Sequence, residues 1–64
     1  MSMTDPVSDL LIRIKNAAKA KHKAVDVPAA RLKNEIARLL SELRFIKRSS
    51  VIKIDGKPVL RIWL

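Results

Sequence analysis

The chain has 64 residues, 48% of them hydrophobic, no cysteine, and 14 Lys and Arg against 6 Asp and Glu, a net charge of +8. A length of 64 residues allows one domain, 1–64, which buries only about 60% of the surface that its unfolded chain exposes. The missing cysteines exclude a disulfide staple and a thiolate metal site, the apolar fraction excludes a disordered chain, and the cationic surplus points to a polyanionic partner. No apolar run approaches the ~20 residues needed to cross a bilayer, and no signal-peptide pattern opens the chain. The expectation is therefore a cytoplasmic protein without membrane contact.

Taken in order, Asp5-Pro6 is a helix start. Asp5 can accept from a free first-turn N–H, and Pro6 has the φ that the first helical position requires. Val7, Leu10, Leu11, Ile14, Ala17 and Ala18 fall at helical spacing and predict an apolar face on a helix from about 5 to about 20. Lys21-His22-Lys23 is a polar connector, and Ala24 to Val27 alternates as a short strand that Pro28 stops. A second helix is predicted from about Ala29 to about Leu43. Leu32, Ile36, Leu39, Leu40 and Leu43 form its buried stripe, and Lys33, Asn34, Arg38, Ser41 and Glu42 its wet side. Its start lacks a capping side chain, because Ala30 carries no acceptor.

Phe45-Ile46 and then Val51 to Ile54 are strand material. Asp55-Gly56-Lys57-Pro58 is a turn with Gly56 at a positive-φ position, and Val59 to Leu64 returns. Ile52 and Ile54 are expected to share a face with Leu60, Ile62 and Leu64, leaving Arg61 and Trp63 on the other. The fold class is α+β: two helices on one face of a three-stranded sheet, in the order α-β-α-β-β.

No catalytic constellation is present, and the chain does not read as an enzyme. His22 stands between two lysines and reads as a surface or strand-entry residue. No metal site, cofactor site or small-molecule pocket is indicated. The cations are the functional candidates. Lys15 and Lys19 share a helix face with Asn16, Lys21 and Lys23 extend that charge into the connector, and Arg31 and Lys33 open the second helix. Such groups neutralise phosphates, and exposed N–H groups at a helix start favour an anion. A solvated charged face explains most single lysines; the cluster as a whole favours RNA.

The run Met3, Thr4, Asp5, Pro6, Asp9, Leu11, Arg13, Ile14, Asn16 and Ala17 resembles the opening of the small-subunit ribosomal protein eight family. His22, Val27, Pro28, Leu32 and Lys33 stand in place in a second block. Ile36, Ala37, Phe45 and Ile46 follow, and Leu60-Arg61-Ile62-Trp63-Leu64 is similar to the family's closing strand. The resemblance spans nearly the whole chain but covers only the family's first half. The second domain, with its Ser-Thr-rich RNA-binding loop, is expected to be absent, so the chain reads as an isolated or redesigned first domain.

The resemblance implies binding to ribosomal RNA in the small subunit, with Thr4, Asp5, Arg13 and Asn16 in contact and Lys33 as a further candidate. Three positions depart from the family pattern. No serine stands near Ala30, Ile12 replaces a common threonine, and Arg44 replaces a glycine, so the usual helix stop is expected to be lost. The rival expectation is a self-associating module in which a second copy covers Ile12, Trp63 and Leu64.

Overall fold

The computed structural model describes residues 5–64. Its elements follow the predicted order: α1 (Pro6–Lys19), β1 (Ala24–Pro28), α2 (Arg31–Glu42), β2 (Arg48–Ile54) and β3 (Lys57–Trp63). The three strands form one antiparallel sheet in the order β1-β3-β2. Both helices lie on one face of it. Leu10, Val27, Ala37, Ile46, Leu60 and Ile62 make the core, with Ile14, Val25, Ile36, Leu40 and Leu64 packed around them.

α1 begins as the sequence dictates. The Asp5 carboxylate accepts from the N–H groups of Val7 at 3.0 Å and Ser8 at 3.2 Å, and Pro6 occupies the first turn. Leu10 and Ala17 are buried and Val7 and Ile14 half-buried, while Leu11 and Ala18 on the flank of the predicted face are exposed.

α2 lies on the sheet in a different rotation from the predicted one. Of its expected stripe, Leu32, Leu39 and Leu43 are exposed and Ile36 and Leu40 only half-buried. The fully buried residue is Ala37, and Lys33, Asn34 and Ser41, expected on the wet side, are half-buried beside it. Two arrangements account for the turn. Ala37 has almost no side chain, so the helix approaches its neighbours closely there. The polar residues of the inner flank reach backbone: Lys33 Nζ donates to the Pro28 carbonyl at 3.4 Å and Ser41 Oγ to the Lys47 carbonyl at 3.4 Å. Asn34 fits least well, its Oδ1 buried with no partner.

Both helices end in the same motif. The N–H of Lys21 donates to the Ala18 carbonyl at 3.0 Å and that of His22 to the Ala17 carbonyl at 2.9 Å. In α2, Arg44 donates to Ser41 at 3.1 Å and Phe45 to Leu40 at 2.9 Å. These pairs are the two closing bonds of the Schellman motif, which places the residue after the cap in the left-handed region. Lys21 has φ 62° and Arg44 φ 64°. The helix stop expected to vanish with the family's glycine is therefore kept, with Arg44 bearing its backbone strain. Phe45-Ile46, expected as strand, belongs to this exit instead. Phe45 is exposed, and Ile46 turns inward to fill the core.

The β2–β3 hairpin corrects the predicted sheet faces. Its loop is only Asp55-Gly56, with φ 52° and 77°. Positive φ at both central residues is the type I′ turn, which suits a two-residue hairpin. The short loop pairs Ile54 with Lys57, Ile52 with Val59 and Val51 with Leu60. A strand has a side-chain period of two, so this register places Val51, not Ile52 or Ile54, on the helix-covered face. Ile52 and Ile54 join Val59, Arg61 and Trp63 on the open face.

Candidate nucleic-acid interface

The outer side of α1 is built by helical geometry. Successive residues turn by about 100°, so Ile12 stands nearly opposite buried Leu10, and Lys15, Asn16 and Lys19 lie within about 60° of Ile12. All four are exposed. The outer face is thus two ammonium groups and an amide around one isoleucine. Lys21, exposed and just beyond the Ala20 cap, adds a further cation at the C-terminal end of α1.

The other sequence candidates divide by location. Thr4 lies outside the described residues. Asp5 commits Oδ1 to the cap and so fixes the direction in which α1 leaves the loop. Arg13 donates through Nε to Asp9 Oδ2 at 3.1 Å, one turn earlier on the helix, and both side chains are about half exposed. That pair lowers the free charge on one edge of α1. Arg31 is the first residue of α2, behind an Ala30 cap that offers no side-chain hydrogen bond. Lys33 is drawn inward to Pro28. Arg31 and Lys33 sit near the hairpin end of the sheet, where the Ala29 N–H donates to the Pro58 carbonyl at 3.2 Å. Lys21 precedes the opposite end, where β1 begins. The structure therefore brings Lys15, Asn16 and Lys19 onto one face, with Lys21 beyond its C-terminal end, and leaves Arg31 and Lys33 at the start of α2.

The open sheet face carries groups that sequence reasoning missed. Asp26 and Arg61 are cross-strand partners joined by two bonds, Nε to Oδ1 at 2.7 Å and Nη2 to Oδ2 at 2.9 Å. The hydrogen-bonded guanidinium holds the Asp26 carboxyl below its ordinary range, and the carboxylate raises Arg61 in turn. One register step away, the Arg48 guanidinium lies 4.2 Å from the Trp63 ring centroid. The two-residue turn sets Arg48 opposite Trp63, and the separate pairing of β1 with β3 sets Asp26 opposite Arg61. Of the residues expected at an interface, Trp63 is on this open face, Ile12 is on the outer side of α1, and Leu64 packs against the core. Among the described residues no group of three or more His, Asp or Glu could hold a metal ion, and no helix is long and apolar enough to cross a membrane.

Comparison with known proteins agrees with the motif order. The profile of the ribosomal protein S8 family matches residues 5–64. The small ribosomal subunit protein uS8 of Acidobacterium capsulatum is 48% identical over 64 residues, which is 100% of this chain and 48% of that protein. The uS8 protein of Geotalea uraniireducens is 50% identical over 64 residues, covering 100% of this chain and 48% of the relative. That of Thermus thermophilus is 47% identical over 62 residues, 97% of this chain and 45% of the relative. This chain thus spans about half the length of the relatives it matches. With a profile match over nearly its whole length and these identities, the chain belongs to the ribosomal protein S8 family.

Proposed function

We propose that this chain binds small-subunit ribosomal RNA through the outer side of α1, as a non-enzymatic ribonucleoprotein component of the cytoplasmic ribosome. The observation that carries the reading is the exposed face of Lys15, Asn16 and Lys19, with Lys21 beyond its end, on a family member of net charge +8. The lysines neutralise phosphates, the Asn16 amide supplies a donor and an acceptor for a 2′-hydroxyl or base edge, and Ile12 offers an apolar contact between them. Arg13 adds its remaining guanidinium donors from the rim. Thr4 and Asp5 belong to the same contact by family resemblance, with Asp5 acting through the cap. Arg31 and Lys33 are outlying phosphate contacts at the start of α2. A helix lying on an RNA duplex in this way reads shape and 2′-hydroxyls rather than sequence.

The test is a titration with structured small-subunit RNA and a length-matched DNA duplex at two salt concentrations. Preference for RNA that persists at the higher salt supports the reading. Equal binding to both that salt abolishes leaves only counterion release and overturns it.

A second reading has its own observation. The outer side of α2 exposes Leu32, Leu39 and Leu43, followed by Phe45 at 74% exposure. Around them Arg31, Glu35, Arg38 and Glu42 balance in charge, unlike the rest of this cationic chain. An antiparallel pairing of two copies through α2 would oppose leucines and bring arginines of one toward glutamates of the other. Sedimentation velocity decides it: a dimer that Leu39→Lys dissociates supports this reading, and a monomer at high concentration removes it.

A further inference from the structure

One end of the sheet gathers three cations from two separate segments. β1 begins there, β3 ends there and β2 begins there. The Leu64 N–H donates to the Lys23 carbonyl at 2.9 Å, and the Lys47 N–H donates to the Trp63 carbonyl at 2.8 Å. Trp63 pairs with Ala24 on one side and Arg48 on the other. Lys23, Lys47 and Arg48 are all exposed. With strands ~4.8 Å apart, Lys23 and Lys47 flank the end of the central strand at a separation of about 10 Å.

Arg48 has a different partner from Arg61, its neighbour on the open face. Arg13, Arg38 and Arg61 each face a carboxylate. Arg48 faces none among the described residues and is held over the Trp63 ring instead. The nearest carboxylate on the open face, Asp26, is occupied by Arg61. Asp55 lies at the far end of β2, in the hairpin loop. A guanidinium held over an indole by its cation–π contact spends no N–H donor on a carboxylate, and its N–H edge is the part that grips a phosphate through two parallel hydrogen bonds. The stack also removes part of the rotamer entropy that binding would otherwise cost.

We propose that this sheet end is a second phosphate-binding site for RNA, with Arg48 on Trp63 as the bidentate contact and Lys23 and Lys47 as flanking charges. The ligand class rests on the RNA-binding reading above, but the site is distinct from the outer side of α1.

The chain's single tryptophan reports on the site directly. The experiment titrates an RNA hairpin into the 64-residue chain. It follows Trp63 emission together with the anisotropy of labelled RNA, in the parent, Arg48→Gln, Arg48→Lys and Lys57→Gln. Lys57, at the hairpin end, is the charge-matched control. Circular dichroism confirms that each variant is folded. RNA should change Trp63 emission. Arg48→Gln should weaken binding about fivefold more than Lys57→Gln and lower the salt slope by about one. Arg48→Lys should recover only part of the affinity, since an ammonium lacks the fork.

If RNA binds with no change at Trp63, and Arg48→Gln matches Lys57→Gln, this site is overturned while the α1 reading stands. If no variant, nor the parent, binds RNA, both fall.

Discussion

α1 and α2 are both amphipathic helices, yet they meet the sheet on different terms. α1 has one apolar face, a side-chain cap and a buried large residue at its centre, Leu10. α2 has one leucine-rich stripe, an alanine cap and a buried alanine on the flank of that stripe. α1 turned the Leu10 and Ala17 side of its apolar face inward. α2 turned its Ala37 flank inward, with Ile36 and Leu40 half-buried beside it, and left Leu32, Leu39 and Leu43 exposed. Apolar periodicity therefore fixes a helix but not its rotation when small residues offer a closer approach than large ones.

Substitution at the two helix centres should separate them most widely. Leu10→Ala is expected to destabilise by about 2–5 kcal/mol, enough to unfold most of a domain whose net stability is on the order of 5 kcal/mol. Leu39→Ala, at 53% exposure, should stay within about 1 kcal/mol in the same urea titration. Equal losses would mean that α2 packs as its leucine pattern suggests and not as described.

The next effects come from the ends and inner flank of α2, where the expected changes are gains. Arg44→Gly should stabilise by about 1 kcal/mol, because glycine adopts φ 64° without the side-chain penalty. Ala30→Ser should add about 1 kcal/mol by supplying an acceptor to the first turn, whereas Asp5→Ala should remove a similar amount from α1. Asn34→Leu should add about 1 kcal/mol by deleting a buried oxygen that has no partner. Thermal melts of these four variants rank the caps directly.

The smallest effect concerns the Asp26–Arg61 pair. The folded carboxyl titrates below its unfolded range near pH 4, so its contribution is present above that range and lost as pH falls through the lower folded value. Asp26→Asn should flatten that part of an acid titration and leave neutral-pH behaviour almost unchanged, as expected for a half-exposed pair.

Much of the fold was legible because its punctuation is local. Asp5-Pro6, Pro28 and Asp55-Gly56 each mark a boundary by their own backbone chemistry. What was not legible depends on contacts between elements. The side of α2 that faces inward depends on Lys33 and Ser41 finding carbonyls outside the helix. The faces of β2 depend on its pairing with β3, which sets Val51 opposite Leu60 and leaves both β2 isoleucines, Ile52 and Ile54, on the open face. The same holds for the candidate site. The α1 cations follow from helical spacing alone, whereas Arg48 on Trp63 and Asp26 with Arg61 exist only once the strand register is known.

The contrast between the two outer helix faces is tested most directly by amide chemical-shift mapping of the isotope-labelled chain during titration with structured small-subunit RNA. The largest shifts are expected at Ile12, Lys15, Asn16, Lys19 and Lys21, with Leu32, Leu39 and Leu43 unmoved. Shifts concentrated on the outer side of α2, or spread evenly over all exposed lysines, would contradict the α1 reading.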